Sequence, residues 1–186
     1  MRKIIVFNLL SLDGYFAGVD GNIDWHNVDD EFNDFAVTQT KTFGTIIFGK
    51  TTYKMFEEYW PVALKDPTTS SDDRQIAQTI NNIEKIVFSK SIEKVEWNNT
   101  KLLHEINPEE INKWKEMDGA PMVIFGSGTI VQQMTELGLI DEYRIMINPV
   151  ILGEGKSMFE KVPMQKLKLA DTKIFKSGNV LLTYVP

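Results

Sequence analysis

Apolar residues recur along the chain with two different periods, and the switches between them mark its elements. Residues 3 to 10, KIIVFNLL, form an almost unbroken apolar run, as expected of a strand whose sheet is covered on both faces. The stretch DGYFAGVDGN, residues 13 to 22, then predicts a turn. From Asp29 the period lengthens. Phe32, Phe35, Ala36, Gln39 and Phe43 mark one stripe at helical spacing behind an acidic first turn. TIIF (45–48) predicts a strand, and KTTYKMFEEYW (50–60) predicts a helix closed by Pro61. Residues Val62 to Asp73 read as a loop and Arg74 to Asn81 as a short helix. EKIVFS (84–89) is a strand, residues 101–103 a short one, and Pro108 to Met117 a helix with proline in its first turn.

The stretch VIFGSGTIVQQM, residues 123 to 134, is an apolar strand that stops at Gly126-Ser127-Gly128 and resumes as a helix. Absent Cβ atoms allow a positive φ or a close approach by another molecule, so this turn raises the question of a ligand. After Gly138 the period falls toward two. IDEYRIMINPVIL, QKLKLADTKIF and NVLLTYV predict strands, the last two joined by a turn around Gly178. Alternating strands and helices followed by a run of strands predict one α/β domain over residues 1–186. Its sheet is mostly parallel, with an antiparallel C-terminal segment. In such sheets ligands gather beyond the carboxyl ends of the strands.

Composition narrows the function. The chain has 186 residues, 42% hydrophobic and 25% charged, with no apolar window long enough for a membrane span. The basic, apolar start MRKIIVFNLLSLDGYF lacks a small-residue cleavage site and contains Asp13, so it reads as a first strand and not as a secretory signal. The absence of cysteine excludes disulfides and thiolate metal sites and fits a cytoplasmic location. A net charge of −6 argues against a nucleic-acid surface, and any anionic small ligand needs a local basic pocket. His26 and His104 are the only histidines and lack metal-ligand spacing, so no metal is expected. No nucleophile-elbow sequence supports a Ser-His-Asp hydrolase.

GTIIFGKT, residues 44 to 51, matches the P-loop pattern G-x-x-x-x-G-K-[ST], but its strand lies between the glycines. The N–H groups there pair with neighbouring strands and cannot wrap a phosphate. What survives is Gly49-Lys50-Thr51-Thr52, at a strand's end and a helix's start. Ser89-Lys90-Ser91 ends another strand with two hydroxyls and a cation. Gly126-Ser127-Gly128-Thr129 ends a third and opens a helix, where free N–H groups and the helix dipole favour a phosphate. Val131 stands where the dinucleotide fingerprint has its third glycine, so an ordinary Rossmann fold is not indicated. Three separate exits equipped for anions suit one extended ligand with several phosphates, and a dinucleotide fits that description.

The segments SLDGYFAG, FGKTTYKMF, IVFSKS, VIFGSGTIVQQM and DEYRIMINPVILGEGKSMF occur in the order seen in the dihydrofolate-reductase-like superfamily. The chain resembles a stand-alone relative of the reductase domain of the bifunctional riboflavin-biosynthesis deaminase/reductase. The resemblance implies an NADPH-dependent reductase with the cofactor along the strand ends. Gly49, Lys50, Thr51 and Thr52 would meet the phosphates, with Lys50 where dihydrofolate reductases commonly carry arginine. Ser89 and Lys90 would hold the 2′-phosphate of NADPH. Gly126, Ser127, Gly128, Thr129 and Ile130 would pass under the pyrophosphate and nicotinamide. Leu9 and Phe16 would border the nicotinamide ring, and the turn after Asp13 would act as a lid.

Hydride transfer to C=N or C=O also calls for a proton donor or an ordered water. Asp13 and Asp30 are the candidate acids, with Asp13, Trp25 and Glu31 as candidate substrate contacts. Asp13-Gly14 also reads as a turn, and DDEF around Asp30 also reads as a solvated first helical turn. Three readings stay open: a reductase of a ribosylamino-pyrimidine phosphate in riboflavin biosynthesis, a dihydrofolate or other pteridine reductase, and a nucleotide-binding protein without turnover. The H-x-E and C-x-x-C signature of the zinc deaminase module found in the bifunctional relatives does not occur in this sequence, as the lack of cysteine requires. The β-rich tail from Ile140 resembles segments that pair subunits in relatives, and a homodimer is expected.

Overall fold

The computed structural model describes all residues, 1–186. Its centre is an eight-stranded sheet in the order β5-β4-β3-β6-β1-β7-β10-β9. The strands are β1 (Ile4–Leu10), β3 (Thr45–Gly49), β4 (Glu84–Phe88), β5 (Thr100–Leu103), β6 (Met122–Phe125), β7 (Glu142–Ile147), β9 (Lys168–Ile174) and β10 (Val180–Val185). The six from β5 to β7 run parallel, and β10 and β9 close the sheet antiparallel. β1 sits inside, and all but one of its seven residues are buried. Its apolar run is continuous because helices cover both faces.

On one face Ile5, Phe7, Ile46 and Phe48 pack among Val37, Tyr53, Ile76 and Ile80 of helices α1 (Asp30–Thr40), α2 (Lys50–Ala63) and α3 (Ser71–Asn82). On the other, Ile4, Val6, Ile47 and Ile124 pack on α4 (Pro108–Glu116) and α5 (Gly128–Glu136) through Ile111, Val131 and Met134. A separate ribbon pairs β2 (Tyr15–Ala17) with β8 (Lys156–Ser157). The span Gly44–Thr51 contains a central strand paired on both sides, as the objection to a P-loop required.

Some boundaries differ from the sequence expectation. α2 continues past Pro61 to Ala63, because proline in a last turn forfeits a single hydrogen bond and its fixed φ still suits a helix. α3 begins at Ser71, three residues before the expected Arg74, because the Ser70 hydroxyl accepts from Asp73 N and starts the helix inside the supposed loop. The run from Ile140 to Leu152 is a strand only over Glu142–Ile147. No helix is long and apolar enough to cross a membrane.

Candidate functional site

Parallel strands place their exits on one rim. β4, β3, β6 and β1 are consecutive neighbours, Gly49 pairs with Phe88, and Phe7 pairs with Phe125. Ser89, Lys50 and Gly126, distant in sequence, therefore follow one another along the rim at strand spacings of about 4.8 Å. A cleft of about 1730 Å³ runs along it. All thirteen residues assigned to the cofactor line this cleft: Leu9, Phe16, Gly49, Lys50, Thr51, Thr52, Ser89, Lys90, Gly126, Ser127, Gly128, Thr129 and Ile130.

Two helices start at the rim, and neither has a side-chain cap. The residues before α2 and α5, Gly49 and Ser127, make no side-chain hydrogen bond into the first turn. The other three helices are capped in the usual way. Asp29 accepts from Phe32 N, Ser70 from Asp73 N, and Asn107 from Glu109 N and Glu110 N, so α1 and α3, which border the cleft at Phe32 and Asp73, have their first turns already satisfied. The first N–H groups of a helix have no partner within it, so α2 and α5 present theirs to whatever anion enters the cleft.

The turn between β6 and α5 is held rigidly. Gly126 and Ser127 both adopt left-handed backbone, with φ of 51° and 54°. Ser127 N donates to Thr52 Oγ1 (2.9 Å) while its own Oγ accepts from Gly49 N (2.9 Å), which ties the exits of β3 and β6 together. Asn8, buried in β1, grips Gly126 on both sides: its Nδ2 donates to the glycine carbonyl (3.1 Å), and its Oδ1 accepts the glycine N–H. Asn8 was missed in the sequence, although a lone amide inside KIIVFNLL was the available signal. The glycines answer their own question differently from the sequence reading. A Cβ on Gly126 would lie 2.7 Å from Thr52 Oγ1, and one on Gly128 would lie 2.9 Å from Phe16 Cε1. The space is taken by the protein's own side chains, and the turn is shaped before any ligand arrives.

At the far end of the rim, Ser89 Oγ accepts from Ser91 N and Ile92 N (3.2 and 3.1 Å). Lys50 Nζ donates to Ser91 Oγ (3.0 Å), and the exposed Lys90 lies beside them in the lining. His104, also unassigned from sequence, bonds through Nδ1 to the Ser89 carbonyl (2.8 Å). A carbonyl only accepts, so the proton sits on Nδ1. His26 lines the cleft at its other end, with its ring edge-on to Trp25 at 4.5 Å. Burial pushes its imidazole down to about 4, so it is neutral at neutral pH.

The structure brings none of the remaining candidates to the cleft wall. Asp13 faces away, its carboxylate accepting from Leu152 N (3.2 Å) and Gly153 N (2.7 Å). The Ser11 hydroxyl, with these N–H groups, holds its carboxyl below the usual range. Glu31 accepts from Lys176 N (2.9 Å) on the β9–β10 turn, and Asp30 is exposed at the start of α1. Trp25 donates to the Asn22 carbonyl (3.2 Å) within its own loop. Asp13 and Glu31 thus serve as clips between chain segments, and neither they nor Asp30 offers a carboxyl to the cleft.

Comparison with known proteins places this architecture. The family description "RibD C-terminal domain" matches residues 2–183. The uncharacterized protein YyaP of Bacillus subtilis (strain 168) is 31% identical over 186 residues, covering 98% of this chain and 94% of its own. A putative riboflavin biosynthesis protein from Shewanella sp. PV-4 superposes with a TM-score of 0.69 at 21% identity, over 98% of both chains. Dihydrofolate reductase from Enterococcus faecalis, complexed with NADP(H) and RAB-propyl, gives 0.63 at 16% identity, over 98% of this chain and 95% of its own. The chain therefore belongs to the RibD C-terminal domain family and is built on the dihydrofolate reductase fold.

Proposed function

We propose that the protein is an NADPH-dependent reductase of a small heterocyclic substrate. The observation that carries this reading is the rim itself. Two uncapped helix N-termini, Lys50 and Lys90 line one cleft, whereas the other three helix starts are satisfied by their own side-chain caps. NADPH, when bound, supplies a hydride to the carbon of a C=N or C=O and is left as NADP⁺, while the heteroatom takes up a proton. Lys50 to Thr52, with Gly128 and Thr129, would hold the phosphates through backbone N–H groups, those of Gly49, Gly126, Ser127 and Ile130 being bonded within the protein to shape the turn, and Leu9 and Phe16 would wall the nicotinamide. Asp13 would hold the lid by its bonds to Leu152 and Gly153. Asp13, Asp30 and Glu31 lie outside the cleft, and water admitted to it would supply the proton.

The reading covers both the riboflavin-pathway substrate, a ribosylamino-pyrimidine phosphate, and a dihydropterin. Oxidation of NADPH in the presence of either distinguishes turnover from binding alone. Lys90→Ala is expected to weaken NADPH about tenfold and NADH by much less, because hydrogen bonds to charged groups contribute about 1.5–3 kcal/mol and exposure reduces that. Equal losses for the two coenzymes, measured by titration, would remove the 2′-phosphate assignment.

The proposal includes a homodimer. β9 ends the sheet with Leu169 and Ile174 uncovered, the latter 72% exposed. Sedimentation equilibrium is expected to give twice the 21.3 kDa chain mass. A monomer at micromolar concentration would remove this part.

A further inference from the structure

We infer that the substrate is an uncharged planar ring compound carrying no phosphate; this rests on the reductase reading and narrows it. Beside the rim the cleft is walled by Phe32, Phe43, Phe56, Tyr59, Trp60 and Phe125. Five of these rings follow one another closely. Phe125 lies 6.0 Å from both Phe43 and Phe56, Phe56 lies 6.0 Å from Trp60, and Trp60 lies 4.9 Å from Tyr59. Phe125 directly precedes Gly126, so the aromatic wall begins where the expected nicotinamide position ends. Such a wall takes a flat π-system by stacking and edge contacts.

Charge disfavours the anionic alternative. The cations lining the cleft are Lys50 and Lys90, at the β3 and β4 exits, and Lys156 on the β2–β8 ribbon; none stands on the aromatic wall. The cations of the elements packed around it are engaged elsewhere. Arg74 donates to the carbonyls of Leu64, Asp66 and Thr69, and Arg144 donates to Glu142 and Gln39. Lys41 donates to Gln75, and Lys173 lies over the rings of Phe35 and Phe175. From α3 the charge that reaches this part of the lining is Asp73; the loop before α1 brings Asp24, with Lys156 Nζ lying against Gly21 three residues earlier. Asp73 makes no ion pair, and after desolvation its charge is the second cause that raises the Tyr59 phenol. A phosphate placed against the aromatic wall would lose its hydration and face Asp73, with Lys156 beside Gly21 as its one counter-charge off the wall. An uncharged ring meets none of these costs.

The test uses a matched pair, a ribosylaminopyrimidine and its 5′-phosphate, together with an uncharged dihydropterin. Each is titrated into protein saturated with NADP⁺, and binding is read from tryptophan fluorescence. The unphosphorylated member is expected to bind at least about fivefold more tightly than its phosphate, the size of effect that carboxylates several ångströms away produce. Asp73→Lys should narrow or reverse that preference, and Asp73→Asn should narrow it with less disturbance of the first turn of α3. Tighter binding of the phosphate, with Lys156→Ala abolishing its advantage, would overturn the inference and leave the reductase reading intact. Binding of none of the three compounds would also overturn it. Failure of NADP⁺ itself to bind would remove both.

Discussion

Gly126→Ala is expected to lower the stability of the fold by about 3 kcal/mol and to abolish tight coenzyme binding with it. Two costs combine. A side chain at a φ of 51° costs about 1–2 kcal/mol against the preferred backbone. The new Cβ would also lie 2.7 Å from Thr52 Oγ1, which must rotate and leave Ser127 N without its acceptor. Ser127 tolerates its own left-handed backbone because its N–H and Oγ are both bonded, so losing one bond loosens the link between the β3 and β6 exits. Urea denaturation should show a midpoint lower by about 1 M or more. Gly128→Ala is the control. Its Cβ meets the Phe16 ring, a side chain that can swing, so a smaller loss is expected there. Equal, small losses at both positions would show that the turn is not held as described.

The second large effect lies away from the cleft, at Lys85. This side chain is fully buried, and its ammonium donates to the carbonyls of Ile80 (2.9 Å), Asn81 (3.2 Å) and Ile83 (2.8 Å) at the C-terminus of α3. It also lies 4.5 Å from the Trp97 ring centroid. Lys85→Met is expected to cost about 2 kcal/mol at pH 7, because three carbonyls lose their donor while the cost of burying a charge disappears. Burial pushes the ammonium from 10.5 down to about 8. Between those values the unfolded chain keeps a proton that the folded chain has released, so the wild type gains stability as pH rises. The gain is at most about 1.4 kcal/mol per pH unit. The methionine variant lacks it, and the difference between the two proteins should widen from pH 7 to pH 9.5. A constant difference would mean that Lys85 is not held as a buried cation.

The parallel half of the fold was legible because each central strand is an apolar run bounded by a glycine, a serine or a change of period. The same breaks marked the rim, since strand ends with Gly-Lys-Thr, Ser-Lys-Ser and Gly-Ser-Gly carry their chemistry locally. The two clipped acids were not legible, because their orientation is set by partners far along the chain. Asp13 answers to Gly153, 140 residues on, and Glu31 to Lys176, 145 residues on. The β2–β8 ribbon, three residues against two, is too short for any period to show. The aromatic wall escaped for a different reason. Phe32 and Phe43 on one segment and Phe56 and Trp60 on another have the spacing of ordinary core stripes, and only their packing leaves a cleft between them. Asn8 shows the limit most clearly: one amide in an apolar strand signals a buried partner without naming Gly126.

The central claim is that the exits of β3, β4 and β6 act together on one reduced dinucleotide. The most direct measurement is a crystal structure of the protein soaked with NADPH. Density is predicted to run from Lys90 and Ser89, over Gly49 and Lys50, to the turn Gly126–Gly128, with the nicotinamide beside Leu9 and Phe16. A dinucleotide bound elsewhere, or an empty rim at saturating NADPH, would contradict it.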